Sequence, residues 1–481
     1  MYLGLDLGTS GLKALLLDEG HSVVAVATAP LETARPAPGW SEQDPADWIA
    51  ACNQVLKELS AHLGAVRAIG IAGHMHGVVL LDAAGDVVRP CLLWNDTRAG
   101  LQTAALDANP QFRSISGTIV FPGFSAPKMA WVRDHEPDHW AQTKHVLFPK
   151  DFLAYWLTGA LHGEPSDAAG SALFDPAKGD WSPALCAAAG LSAERLPPII
   201  NSDSARGSVR EEIAAQFGLN PACVVAGGAG DNAAASLGIG AVNDGEGQVS
   251  LGTSGVLLVV NERWTPDPDT AVHSFSHAAT NQFIQMGVTL TATDSLSWLA
   301  GLLGEEAGGL SAQLPETADG PGSVLFLPYL AGERTPHNLD QPAGGFFGLS
   351  RNDGPLEMAR AVMEGVAYSL ADCAAALTAA GARVEKLTAV GGGARSGFWL
   401  QTLADVLERP LALNPNAEHA AALGGARLAM AAARGHSVID VVAAAPTPGD
   451  LETIQPRPET FTAYRTAVQR YRDLFNALKE V

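Results

Sequence analysis

The chain has 481 residues, 47% of them hydrophobic, with 30 Lys and Arg against 51 Asp and Glu and a formal net charge of -21. That length is too great for one core and suits two domains of roughly 200 to 250 residues. The acidic balance argues against nonspecific binding to nucleic acid or to an anionic membrane, while ATP stays within reach, because backbone N–H groups and Mg²⁺ hold phosphate without a basic surface.

From the N-terminus, apolar runs at Tyr2 to Leu5 and Leu12 to Leu17 flank Leu7-Gly8-Thr9-Ser10-Gly11, which reads as strand, tight turn, strand. The same five letters return as Leu251-Gly252-Thr253-Ser254-Gly255, between Val249 to Leu251 and Val256 to Val260. Glycines in such a turn let the backbone approach a ligand and the hydroxyls add donors, so each copy suits phosphate oxygens. One copy alone would read as an ordinary hairpin; two suggest similar domains closing on one polyphosphate. Asp6 precedes the first turn where Ser250 precedes the second. A hairpin does not need that acid, so Asp6 reads as chemical, holding Mg²⁺ directly or through water.

Val23 to Ala29 reads as a third strand, and Asp44-Pro45 starts a helix running to Leu59 with Asp as the cap. Arg67 to Ala72 is a buried strand running out into Gly73-His74-Met75-His76-Gly77, and Val87 to Trp94 is an apolar stretch ending in Asn95-Asp96-Thr97-Arg98. Polar groups beyond strand ends are where open α/β sheets place ligands. His74 and His76 alternate and could share a metal, but no Cys or acidic cluster stands beside them. A sugar-hydroxyl contact from His76 fits better, with an ordinary loop histidine still open. Pro149-Lys150-Asp151 precedes a helical run to Leu157, and the loop from Gly163 to Gly170, with Asp167, carries little meaning alone.

Val224 to Ala226 leads through Gly227-Gly228-Ala229-Gly230 to Asp231-Asn232 and a helix of small residues. An N-cap and a catalyst both fit Asp231; the glycines favour the catalyst, whereas a full cap would weaken it as a base. Asn243 to Gly247 is the expected boundary, giving domains 1–243 and 244–481. The second half repeats the recipe. Strands are expected near Phe283 to Val288 and Val324 to Leu330, a helix at Thr293 to Leu303, and a long helix carrying Leu356, Ala359, Met363, Val366, Leu370, Cys373 and Leu377 at helical spacing. Strand Lys386 to Val390 then opens through Gly391-Gly392-Gly393-Ala394 into another helix, a junction that suits a nucleotide. The last helix, Glu459 to Lys479, carries an aromatic seam that reads as core.

Five scattered cysteines without a C-x-x-C pair read as reduced and mostly buried. No basic leader precedes Asp6, and the Ala-rich stretch from Ala420 to Ala433 is broken by Gly424, Gly425 and Arg427. A soluble cytoplasmic protein is therefore expected.

Taken together, the motifs resemble the FGGY carbohydrate kinases of the actin and hexokinase-like ATPase superfamily over nearly the whole chain. Asp6 to Ser10 and Leu251 to Ser254 match the two phosphate motifs; Gly123 to His135, with Lys128 and Trp131, and Gly344 to Glu364, with Gly348, match the two family signatures. Ile71 to Gly77, Trp94 to Arg98 and Phe326 to Pro336 are similar to the xylulose-phosphorylating branch, except that His74 stands where Gln is expected. The resemblance implies an α/β fold of two ribonuclease H-like domains around a cleft, and ATP-dependent phosphorylation of D-xylulose at O5. It implies Asp231 as general base, Met75, His76 and Asn232 on the sugar, and Asp6 serving Mg²⁺. Gly8, Thr9, Ser10, Lys13, Gly252, Thr253 and Ser254 would surround the ATP phosphates, with Gly391, Gly392, Gly393 and Ala394 at the adenosine. Contacts from Phe124 or Lys150 are further expectations, and homodimers are common among such kinases. The rivals are the same fold acting on ribulose, gluconate, fuculose or glycerol, a non-enzymatic actin-like ATP switch, and a metalloprotein using His74 and His76.

Overall fold

The repeated strand, turn and strand signature builds two sheets of one plan. A computed structural model describes residues 1–446 and 451–478. In the first half, β1 (Tyr2–Leu7), β2 (Gly11–Leu17) and β3 (Val23–Pro30) form an antiparallel meander. β4 (Ala68–Gly73) lies parallel to β1, and β5 (Ala205–Ser208), β6 (Val224–Ala226) and β7 (Ala229–Gly230) complete the sheet in the order β5-β6-β4-β1-β2-β3, with β7 also on β4. In the second half, β8 (Glu246–Leu251), β9 (Gly255–Asn261), β10 (His273–Ser276), β11 (Phe283–Thr289), β12 (Lys386–Val390), β13 (Leu411–Leu413) and β14 (Thr453–Ile454) run in the order β10-β11-β9-β8-β12-β13-β14. The antiparallel hairpin β8-β9 with parallel β12 repeats β1-β2 with β4.

Side chains alternate across each sheet. Leu3, Leu5 and Leu7 enter one core with Ile69 and Ile71, covered by helices α1 (Pro45–Glu58) and α2 (Pro149–Thr158). Helix α1 begins as expected, with Asp44 accepting from Ala46 N at 2.9 Å and Pro45 in the first turn. The opposite face carries Gly4 and Asp6, and it meets helices α3 (Asp231–Ile239) and α4 (Ala420–Arg434). These two helices share a core with Leu258 and Val260 of the second sheet, so they lie between the halves. The other face of the second sheet packs Val249, Leu251, Leu257 and Val259 against the long helix Pro355–Ala379 and against Gly397–Leu407.

Helix α4 is the stretch whose glycines and Arg427 argued only against a membrane span. Those glycines allow backbone to touch backbone. A Cβ on Gly4 would lie 1.8 Å from the Ala422 carbonyl oxygen, one on Gly70 would lie 1.9 Å from that of Gly425, and one on Gly424 would lie 1.9 Å from that of Ala234. Elsewhere the expected elements stand with small shifts. Val87 to Trp94 yields only a short strand at Cys91–Leu92, paired with Glu42–Gln43. The final helix runs Phe461–Leu478 with Tyr464, Tyr471 and Phe475 buried as its seam, and Lys479 lies outside the described residues. Among the described residues no helix is long and apolar enough to cross a membrane.

Candidate active site

Three neighbouring parallel strands end together and place the expected acids. Asp6 sits opposite Ala72, and Leu7 opposite Gly73, in the β1-β4 register; Gly230 sits opposite Gly73 in the β4-β7 register. Asp6, the loop from His74 to His76 and Asp231 therefore emerge at one edge.

Asp231 is the first residue of α3, and the N-cap is Gly230. Its carboxylate accepts from Asn232 N at 2.7 Å and from the Asn232 side-chain amide at 2.9 Å, so it does not cap the next turn. Burial, reinforced by the charge of Asp6, pushes its pKa up to about 7. Burial likewise raises Asp6 to about 6 against the opposing pull of Lys13. No hydrogen bond from the described residues reaches the Asp6 carboxylate, while Lys13 Nζ donates to the Glu418 carbonyl at 3.1 Å.

Among the described residues no group of three or more His, Cys, Asp or Glu side chains is placed to hold a metal. Mg²⁺ is commonly held by one or two carboxylates together with water and substrate phosphates, and Asp6 offers one such carboxylate. No third His, Cys, Asp or Glu joins His74 and His76 to form a metal-holding group among the described residues. His74 packs edge-on to Trp48 with ring centroids 5.8 Å apart, and burial lowers its pKa to about 3.

His76 takes a left-handed φ of 70° and places Nδ1 2.7 Å from the Gly170 carbonyl oxygen. Burial lowers its pKa to about 4, so the ring is neutral; the carbonyl requires N–H at Nδ1 and leaves Nε2 as an acceptor. The ring stacks on Phe124 at 4.7 Å and 16°. Met75 fills the space above Gly230, where a Cβ would lie 2.7 Å from Met75 Cγ. The second half closes this side: Phe275 comes within 6.1 Å of the His76 ring, His273 within 5.2 Å of Phe121, and the Arg334 guanidinium lies 3.6 Å from the Phe121 ring centre.

Each phosphate-type turn is anchored from behind. Gly8 N donates to Gly11 O at 3.0 Å, and Ser10 O accepts from Leu31 N at 3.0 Å. In the second turn Thr293 N reaches Gly252 O at 2.9 Å and Ala292 N reaches Thr253 O at 2.8 Å, leaving Ser254 half-buried. Gly391, at φ 91°, lies against this turn: a Cβ there would be 2.7 Å from Leu251 O. Gly392 and Gly393 line a cavity of about 480 Å³ with Thr293, Leu296, Ser311 and Phe398, and Ala394 follows in the same single turn of helix.

The loop at 163–170, unreadable in sequence, holds the support for Asp231. Ser166 Oγ accepts from Gly230 N at 3.0 Å and donates to Glu164 at 2.8 Å, and Ser202 Oγ donates to the same carboxylate at 2.7 Å. Lys150 does not reach the cleft; its ammonium is buried among Asp151 at 2.8 Å and Glu164 and Asp167 at 3.3 Å, with Arg206 on Asp151 at 2.7 Å. The only local sign of this cluster was Glu164 before Pro165, a helix-start signal. Lys128, quoted for a family signature, is also buried and donates to Leu93 O at 2.8 Å.

The N-terminal domain of the FGGY family of carbohydrate kinases matches residues 1–238, and its C-terminal domain matches residues 247–433. The chain is 43% identical to the xylulose kinase of Escherichia coli strain K12, with 99% of each chain covered, and 45% identical to that of Klebsiella pneumoniae, with 89% of each covered. A solved xyloylose kinase from Brucella ovis superimposes with a TM-score of 0.97 at 46% identity, covering 100% of this chain and 99% of that one. Two matched domains and full-length relatives at this identity make the chain a member of the FGGY family of carbohydrate kinases.

Proposed function

We propose that the protein phosphorylates D-xylulose at O5 with ATP, giving D-xylulose 5-phosphate and ADP. The observation that carries this reading is Asp231: a carboxylate raised to about 7, beside Asp6 and beneath Met75 and His76, at the edge where β1, β4 and β7 end. Asp231 takes the proton of the primary hydroxyl while that oxygen forms its bond to the γ-phosphorus and the bond to the bridging β–γ oxygen breaks. Asn232 and Met75 border the sugar, and His76 Nε2 accepts from one of its hydroxyls. Gly8, Thr9, Ser10, Gly252, Thr253 and Ser254 surround the phosphates, with Lys13 beside Asp6. Gly391 to Ala394 and the adjoining cavity take the adenosine. Mg²⁺ would supply neutralisation of phosphate charge, and Asp6 is the residue that would hold it.

The preference for D-xylulose over ribulose, gluconate, fuculose or glycerol rests on relatives named xylulose kinase at 43% and 45% identity. The functional halves are 1–243, with sugar and first phosphate turn, and 244–481, with second turn and adenosine. A cytoplasmic homodimer completes the proposal, its assembly checked by light scattering. The deciding assay is ADP release with MgATP across D-xylulose, D- and L-ribulose, gluconate, L-fuculose, glycerol and no sugar. D-xylulose should have the highest kcat/KM. Another winner moves the error to His74, Met75 and His76; no stimulation by any sugar overturns the kinase reading.

A further inference from the structure

The two turns share five residues but not their anchoring. Thr9 is held at both polar groups. Its carbonyl accepts from Gln43 Nε2 at 2.7 Å, and Gln43 is itself fixed by the indole of Trp48 at 2.9 Å. Its hydroxyl accepts from the indole Nε1 of Trp94 at 2.9 Å. In the second turn the Thr253 carbonyl is occupied by Ala292 N, but its hydroxyl has no hydrogen-bond partner among the described residues.

Trp94 is itself well placed to hold a position. Its carbonyl presses on Gly123, where a Cβ would fall 2.1 Å away, and two residues on Asp96 is fully buried, paired with Arg98 at 2.7 Å and accepting from Ser41 N at 2.7 Å. The indole nevertheless remains 47% exposed. An anchored backbone thus carries an uncovered ring whose one polar atom is spent on Thr9.

An indole N–H only donates, whereas a hydroxyl has one proton and two lone pairs. With one lone pair of Thr9 Oγ1 filled by Trp94, the hydroxyl proton must point elsewhere. We infer that Trp94 is a positioning residue, fixing the Thr9 hydroxyl as a donor to the phosphoryl group in transfer and tying the loop after Cys91–Leu92 to the first phosphate turn. This rests on the proposed reading that Thr9 meets the ATP phosphates. Thr253, whose hydroxyl has no hydrogen-bond partner among the described residues, serves the second turn without this constraint.

The test is a cycle of Trp94→Phe, Thr9→Val and the double variant, with kcat and both KM values measured on MgATP and D-xylulose and melting temperatures in parallel. Phe keeps the ring and loses the donor; Val keeps the branched shape and loses the hydroxyl. Trp94→Phe should lower kcat/KM for ATP about 3- to 10-fold, the effect of one hydrogen bond, with KM for the sugar within twofold. In the Thr9→Val background the same change should cost less than twofold, and in a Thr9→Ser background the loss should return. Losses that multiply in the Val background, or a loss confined to the sugar KM, overturn the inference and make Trp94 a wall of the sugar pocket. If Thr9→Val alone leaves kcat and the KM for ATP unchanged, the phosphate role of Thr9 fails and the inference with it.

Discussion

On the proposed reading Asp6 and Asp231 carry the chemistry; burial raises the pKa of both, and the charge of Asp6 adds to the rise at Asp231. Asp231→Asn removes the proton acceptor and should lower kcat by about 10²- to 10⁴-fold, or about 3 to 5 kcal/mol of barrier. A folded variant losing less than threefold would reject that role. The base works only when ionised, so kcat/KM should fall on the acid side of about pH 7; a flat profile down to pH 5 would contradict it. Asp6→Ala should shift the Mg²⁺ titration of activity to higher metal concentration, and an unaltered titration would remove Asp6 from the metal. His74 supplies a stability prediction of opposite sign to an ion pair. Burial holds it neutral down to about pH 3, while an unfolded histidine takes a proton near 6.5. Below that point the unfolded chain binds a proton the folded chain refuses, so the contribution of His74 destabilises increasingly as pH falls from 6.5. His74→Gln should therefore gain on the parent by about 1 to 2 kcal/mol between pH 7.5 and pH 5, read as a widening gap in melting temperature.

At the scale of elements, helix α4 is held by contact distances rather than by side-chain volume. Gly4 and Gly70 sit on adjacent strands and face its backbone, which is why an alternating strand has glycine where leucine would otherwise be expected. Adding a methyl group at Gly4 forces helix and strand apart, and Gly4→Ala should lose about 1 to 3 kcal/mol, measured by urea unfolding. An unchanged midpoint would mean that α4 can slide. The same strand carries Asp6 two residues on, so this displacement should also lower kcat.

For the molecule as a whole, the halves are wound into each other. Residues 420–434 return from the second half to cover β1 and β4 of the first, beside α3. A fragment of residues 1–243 would leave that face bare, and it should unfold without cooperativity, whereas the full chain should show a cooperative transition. A fragment with a sharp urea transition would show that α4 is dispensable to the first sheet. His273, Phe275 and Arg334, meeting His76, Phe124 and Phe121 across the cleft, connect closure of the halves to the wall beside the His74 to His76 loop.

Local chemistry was legible in the sequence wherever it depends on short spacing. The duplicated Leu-Gly-Thr-Ser-Gly turns, the acid before only one of them, the glycine loop ahead of Asp231 and the seams of the long helices follow from dihedral freedom and periodicity, which neighbouring residues determine. That Gly230 rather than Asp231 takes the cap, and that Asp6 arrives beside Asp231 from a strand more than two hundred residues away, needed the fold. The same holds for Glu164, Ser166 and Ser202, which support the Asp231 loop through bonds between distant segments, and for Trp94 on Thr9. Helix α4 is the fullest case: its glycines read as interruptions in one dimension, and only the packed backbone of Gly4, Gly70 and Ala234 turns them into contacts. Periodicity records what a residue does to its own segment, whereas burial, pKa and close approach depend on which segments the chain brings together.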